Sequence, residues 1–179
     1  MTRYVALLRG VNVGTTRLAM ADLRRLVTDL GHDGVKTYLQ SGNVAFDSSV
    51  QDADKLAGGI ERALADELGL TVPVLVRSAR ELAAVAGGNP YAGQQDDPTR
   101  LLVAFLATAP KRAAVDALAV PGGENVAFTV TGREVYLHFP EGGYGRSKFT
   151  NAYLEKKLGV VGTTRNWKSV RALTDLAAG

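Results

Sequence analysis

The chain of 179 residues contains no cysteine, only two histidines and a single tryptophan. The absence of cysteine excludes a disulfide scaffold, a thiol nucleophile and a cysteine-ligated zinc site. His32 and His138 stand alone in the sequence, so they predict no metal site and identify no general base. Apolar runs all fall short of the ~20 residues of a membrane span, and Arg9 interrupts the one nearest the N-terminus. We therefore expect a cytoplasmic protein with no membrane partner.

Length and composition are those of an ordinary globular protein. Apolar residues make up 46% of the chain and charged residues 22%. A chain of this length buries roughly 70% of its unfolded surface, so a hydrophobic core can stabilise it without a disulfide or a metal. One large domain or two small ones fit this length.

Positive charge is concentrated near the end of the chain. The net charge is +3, from 21 basic and 18 acidic residues. Residues 141–171 hold seven basic and two acidic side chains, a balance of +5, whereas the remainder holds 14 basic and 16 acidic, a balance of −2. Such a patch attracts phosphates, nucleic acid or an acidic partner. The alternative interpretation is a solvated helix face.

Hydrophobic spacing predicts the order strand, helix, strand, strand, helix, strand in the first half of the chain. The predicted strands are 4–8, 35–40, 43–47 and 72–76, with helices at about 20–30 and 52–68. Ser41-Gly42 is interpreted as a two-residue hairpin turn, and the segment from Ser78 to Glu81 as a capping box that opens a further helix. Gly58-Gly59 argues against a regular second helix, because two glycines in a helix interior cost about 2 kcal/mol relative to two alanines.

The second half repeats this plan. Its predicted strands are 101–106, 125–130, 134–139 and 163–166, and its helices are 111–118, 147–158 and 168–177. We predict an α+β fold of two ferredoxin-like (βαββαβ) repeats packed together, with extra short helices. The first repeat spans residues 1–90, a linker 91–100 and the second repeat 101–179.

Two loops rich in glycine and amide groups are expected at one sheet edge of the first repeat. In a ferredoxin-like unit the first strand and the first hairpin strand run in the same direction, so RGVNVG (9–14) should lie beside QSGN (40–43). Arg9 could supply charge, and Gly10 and Gly14 could turn backbone N–H groups toward an anion. The alternative is that the glycines serve only a tight turn. Asn12, Gln40, Ser41 and Asn43 complete this candidate set.

A second candidate set lies in the basic segment near the end of the chain. Ser147 is expected to cap the helix 147–158, whose N-terminus would attract an anion. Lys148, Asn151 and Glu155 would share one face of this helix. Arg165, Asn166 and Trp167 follow on an extended piece, with Trp167 either in the core or available for stacking.

Three motifs, in this order, resemble those of a bacterial family, domain-of-unknown-function family 1697. They are ALLRGVNVG, TYLQSGNVAF and SKFTNAYLEKKLGV with TTRNWKSV, and they extend the resemblance over essentially the whole chain. The resemblance implies a duplicated ferredoxin-like architecture. It implies no activity, so no catalytic residue or cofactor follows from it.

Four functional hypotheses remain open on the sequence. The first is a cleft between the repeats that binds a phosphate-bearing or other anionic small molecule, such as a nucleotide, through both candidate sets. The second is nucleic-acid backbone binding by the basic segment, with Tyr4 and Phe46 as the candidates for base stacking. The third is an enzyme of unknown reaction that uses Tyr144, Lys148 and Glu155. The fourth is a purely structural polar network that joins the two repeats.

Overall fold

The computed structural model describes residues 1–141 and 143–179, which divide into two compact units. One unit consists of Met1–Ala84 and Ala172–Gly179, and the other of Val85–Arg171. The C-terminal residues therefore group with the first unit, although the sequence interpretation assigned them to the second repeat. A hydrogen bond from Arg3 Nε to the carbonyl oxygen of Leu176, 3.2 Å long, joins the first strand to this last segment.

The first unit has the predicted ferredoxin-like topology. Its elements are β1 (Thr2–Leu8), α1 (Met20–Asp29), β2 (Asp33–Thr37), β3 (Asn43–Ser48), α2 (Ala53–Leu68), β4 (Val74–Ser78) and the start of α3 (Ala79–Gly87). The sheet order is β2-β3-β1-β4, with every neighbouring pair antiparallel.

The second unit repeats this arrangement. Its elements are β5 (Leu101–Leu106), α4 (Arg112–Ala117), β6 (Ala127–Thr131), β7 (Glu134–His138), α5 (Asn151–Leu158), β8 (Gly162–Asn166) and the start of α6 (Trp167–Ala178). The order β6-β7-β5-β8 is again antiparallel throughout. The predicted α+β class with two ferredoxin-like repeats is confirmed.

Helix α2 is regular despite its two internal glycines. Asp52 caps it, because its Oδ1 accepts hydrogen bonds from the N–H groups of Asp54 and Lys55 at 3.0 and 3.1 Å. One face of the helix is buried in the core of the first unit through Leu56, Ala57, Ile60 and Leu64. Burial of these side chains outweighs the intrinsic glycine penalty, since each large one contributes about 1.5–3 kcal/mol.

The predicted capping box at the start of α3 is confirmed. The Ser78 N–H donates to Glu81 Oε2 at 2.8 Å, and the Glu81 N–H donates to Ser78 Oγ at 3.2 Å. Each side chain therefore satisfies a backbone donor of the other residue at the end of β4.

Two predicted local structures differ from those observed. Strand β2 ends at Thr37 and β3 begins at Asn43, so five residues join them rather than a Ser-Gly pair. Helix α5 begins at Asn151 instead of 147, with Thr150 Oγ1 accepting from the N–H of Tyr153 at 3.1 Å. The preceding segment does not extend the helix, because the backbone is extended at Ser147 (φ −82°, ψ 149°) and at Thr150 (φ −91°, ψ 169°).

Candidate functional site

The loop after β1 and the β2–β3 connection meet at one edge of the first sheet, as predicted. The Leu8 N–H donates to the Gly42 carbonyl at 2.8 Å, and Asn12 Nδ2 donates to the Gln40 carbonyl at 2.6 Å. Gly42 has a φ of 85°, and a Cβ at this position would lie 2.5 Å from Val11 Cγ2 and 2.8 Å from Leu8 Cβ. Glycine is therefore required where the two loops approach.

Asn12 and Asn43 hold these loops together. The Asn12 side chain also donates to the Leu18 carbonyl at 2.9 Å and accepts from the Leu18 N–H at 3.0 Å. Asn43 is buried, and its Nδ2 donates to the Tyr38 carbonyl at 2.8 Å and to Ser41 Oγ at 2.9 Å. Both amides thus shape the edge, whereas Gln40 and Ser41 are exposed on it.

The segment 9–14, here called the amide loop, has backbone angles of alternating sign. The φ angles of Gly10, Asn12 and Gly14 are 72°, 55° and 56°, whereas Val11 and Val13 are not in the left-handed region. Alternation of this kind is typical of the backbone concavities that bind anions through N–H groups. Gly10 and Gly14 are exposed, and their N–H groups donate to no other residue in the part of the chain that the structure describes.

Two arginines and the start of a helix are close to the amide loop in the sequence. Arg9 is half-buried at its start, and the backbone N–H of Arg9 is fixed by the Pro73 carbonyl at 3.0 Å. Arg17 is exposed in the same connection. Helix α1 follows with Ala19 at its N-cap and no side-chain hydrogen bond there, so its leading N–H groups and its dipole add to the attraction of an anion. Asp22 in the first turn opposes this attraction in part.

The second candidate set has different local roles from those predicted. The Ser147 hydroxyl donates to Glu124 Oε2 at 2.5 Å, and the backbone N–H of Lys148 donates to Glu124 Oε1 at 2.8 Å. The bond from Ser147, followed by that from Lys148, lowers the pKa of Glu124. The predicted cap by Ser147 is wrong, because α5 begins four residues later with Thr150 as its cap. Lys148 therefore lies before the helix, and its side chain is exposed.

Asn151 and Glu155 hold the start of β8. Asn151 Nδ2 donates to the Gly162 carbonyl at 2.9 Å, and Glu155 Oε2 accepts from the Gly162 N–H at 3.0 Å. The Thr164 hydroxyl donates to Asn151 Oδ1 at 2.9 Å. Tyr144, suspected with Glu155 of a catalytic role, accepts the Asn151 N–H on its hydroxyl at 3.0 Å. These contacts favour a structural role within the second unit.

Arg165 and Asn166 end β8. The Arg165 guanidinium donates to Thr163 Oγ1 at 2.6 Å and to the Thr164 carbonyl at 3.1 Å. Burial lowers the pKa of Arg165 to about 10, so the side chain remains charged at neutral pH. Asn166 caps α6, because its Oδ1 accepts from the Ser169 N–H at 2.9 Å.

Sequence reasoning missed an equivalent arginine in the first unit. Arg77 is opposite Val5 in the β1–β4 pair, as Arg165 is opposite Val103 in the β5–β8 pair. Both arginines are buried, with 1% and 7% of their surface exposed. Superposing the strand ends VLVRS and GTTRN of the two predicted repeats would have revealed this pair.

The second unit also contains a pocket of about 460 Å³, which the sequence did not indicate. Val126 and Phe139 supply apolar surface, while Glu124, Glu141 and Arg146 supply charge. Ser147 is the one member of the predicted site set among its lining residues. The pocket is therefore a mixed-charge cavity rather than a cationic one.

Other features suggested by the sequence have plain structural positions. Tyr4 and Phe46 are buried in the core of the first unit with their rings 6.0 Å apart, so they offer no surface for base stacking. In residues 1–141 and 143–179, no helix is both long and apolar enough to cross a membrane. Over the same residues, His, Asp and Glu side chains form no group of three that could hold a metal ion.

Comparisons with known proteins agree with the fold. The conserved bacterial protein SP0830 from Streptococcus pneumoniae is 24% identical and superposes with a TM-score of 0.74 over 100% of this chain and 99% of its own. This similarity concerns the fold alone. A comparison with curated proteins gives no match. The model of the family described as "Protein of unknown function (DUF1697)" matches residues 1–136, which include the amide loop and the QSGN connection. The chain therefore belongs to the DUF1697 family.

Proposed function

We propose that the first unit binds a phosphate-bearing small molecule at the amide loop. The observation that supports this most directly is the alternating sign of φ at residues 10–14, with two exposed glycines whose N–H groups donate to no other described residue. Backbone donors in this arrangement can surround several phosphate oxygens at once.

The surrounding charges support an anion rather than a neutral ligand. Arg9 and Arg17 lie in the same connection, and the N-terminus of α1 has no side-chain cap. A ligand phosphate there would accept hydrogen bonds from preorganised N–H groups and interact with the positive end of the helix dipole. Exposed Gln40, which Asn12 holds beside the loop, and its neighbour Ser41 would bond the other polar groups of the ligand.

A role in ligand binding for the second candidate set, in the basic segment near the end of the chain, remains only a prediction. Asn151, Glu155 and Asn166 are engaged by backbone groups of their own unit. Participation of Lys148 or Arg165 in binding the same ligand stays a prediction.

Titration of the ¹⁵N-labelled protein with inorganic phosphate, followed by NMR, tests the proposal. We expect the amide signals of residues 10–14 to shift at millimolar phosphate. Gly14→Ala leaves the loop sterically possible, because a Cβ there meets no atom within 4 Å. Alanine disfavours the left-handed conformation by about 1 kcal/mol, which weakens binding about fivefold when the free loop relaxes away from it.

Two matched controls separate binding from folding. Gly93→Ala also meets no atom within 4 Å and has no left-handed φ, so it should leave phosphate affinity unchanged. Arg9→Gln should weaken binding, whereas Arg112→Gln, which removes a charge from a side chain 93% exposed in the second unit, should not. Absence of shifts in residues 10–14 at millimolar phosphate would refute the proposal.

A further inference from the structure

Two aliphatic side chains stand exposed beside the amide loop. Val13 has 62% of its surface exposed and Leu39 has 56%. Their chain neighbours, Asn12 and Gln40, are joined by the 2.6 Å hydrogen bond between the two loops. Val13 and Leu39 therefore flank the contact between the amide loop and the β2–β3 connection.

Leu39 is held in a conformation that leucine disfavours. Its φ is 56°, in the left-handed region. Among the described residues other than glycine, Asn12 is the one other residue with such a φ. The left-handed backbone of Asn12 has a structural explanation, because asparagine tolerates this region and the Asn12 side chain forms three hydrogen bonds there. Leu39 has no such reason, because its side chain is mostly outside the core. Retained strain without a packing gain points to a functional role for this side chain.

The size of the exposed apolar surface indicates what could cover it. The uncovered parts of the two side chains come to roughly 200 Å². A stable protein–protein interface buries about 800 Å² on each partner, so this surface is too small for one. Apolar side chains of this kind line the sites of small molecules, where they cover the apolar part of the ligand.

We infer that the phosphate-bearing ligand is a nucleoside phosphate, whose base packs on Val13 and Leu39 while its phosphate lies on the amide loop. This inference rests on the proposed function and specifies its substrate class. Leu39 would contribute to selectivity for the base through its exposed side chain. Because Leu39 and the phosphate-binding backbone belong to different loops, removal of this side chain should leave phosphate binding intact.

Calorimetric titration with AMP and with ribose 5-phosphate tests the inference, because the two probes differ in the base alone. We expect AMP to bind at least about tenfold more tightly, as burial of half the exposed apolar surface implies. Leu39→Asn should weaken AMP binding at least about fivefold and leave ribose 5-phosphate within about twofold. Val13→Thr, which preserves side-chain shape, should act in the same direction.

Leu30→Asn is the matched control. Leu30 is 39% exposed at the opposite end of α1 and has a right-handed φ of −73°, so this change should leave both affinities unaltered. Because asparagine tolerates the left-handed conformation, Leu39→Asn should fold at least as stably as the wild type. Thermal unfolding checks this directly.

The outcomes distinguish the two proposals. If ribose 5-phosphate and AMP bind equally at the amide loop, or if Leu39→Asn leaves AMP affinity unchanged, the base contact is refuted and the phosphate site stands. If neither phosphate nor AMP binds, both proposals fail. Adsorption to phosphatidylglycerol vesicles that Leu39→Asn abolishes, without AMP binding, would assign the apolar pair to a lipid surface and overturn the inference.

Discussion

Replacement of Asn12 tests the internal architecture of the candidate site. Asn12→Ala removes three side-chain hydrogen bonds, two to Leu18 and one to the Gln40 carbonyl. Each bond contributes about 0.5–1.5 kcal/mol net, and the buried Leu18 loses partners for both its backbone groups. The alanine must also adopt a φ of 55°, which adds about 1 kcal/mol. We expect a total loss of about 3–4 kcal/mol in the free energy of unfolding.

A second variant separates the two contributions. Asn12→Gly loses the same hydrogen bonds but adopts the left-handed conformation freely, so it should be about 1 kcal/mol more stable than Asn12→Ala. Urea denaturation followed by circular dichroism measures both. Asn166→Ala, which removes a helix cap in the second half of the chain, should lose only about 1 kcal/mol. A loss below about 1 kcal/mol for Asn12→Ala would show that these bonds do not hold the loops together.

Two further predictions concern the second unit. Gly162→Ala would place a Cβ 3.0 Å from the Phe105 carbonyl oxygen, so we expect the free energy of unfolding to fall by about 1–3 kcal/mol. Gly93→Ala, whose Cβ meets no atom within 4 Å, is the neutral control. Equal stability of the two variants in urea would contradict this prediction. The hydrogen bond from the Ser147 hydroxyl, followed by that from the Lys148 N–H, lowers the pKa of Glu124 in the folded state. The ionised carboxylate therefore stabilises the fold above the unfolded-state pKa, and this stabilisation is lost as pH falls through the folded-state pKa. Glu124→Gln should therefore be less stable than the wild type at pH 7, and this difference in stability should shrink as pH falls through the folded-state pKa of Glu124. A stability difference that stays constant as the carboxylate is protonated would refute the role of the charge.

Local sequence signals predicted the elements well where short-range forces decide. The capping box from Ser78 to Glu81 needs only residues three positions apart, and it forms as predicted. Helix α5 was placed too early because Ser147 and Thr150 are both suitable N-cap residues. Only the tertiary structure distinguishes them, since Glu124, a residue 23 positions away, binds the Ser147 hydroxyl.

The candidate site was predicted in part. The meeting of the amide loop with the QSGN connection follows from the topology of a ferredoxin-like unit, and it is observed. The structural roles of Asn12 and Asn43 were not predicted, because a sequence does not show which backbone groups an amide will meet. The exposure of Leu39 and its left-handed backbone were equally hidden, since the connection was expected to be two residues long.

The sequence by itself determined the α+β class, the duplication and the approach of two loops at one sheet edge, because these depend on hydrophobic periodicity and on strand direction. Only the tertiary structure decided which polar side chains are used internally and which groups of the amide loop remain exposed. Hydrogen bonds between distant segments make that choice, as they do for Asn151 and Glu155 at Gly162. Their partners are selected by three-dimensional proximity, which residue spacing alone does not encode.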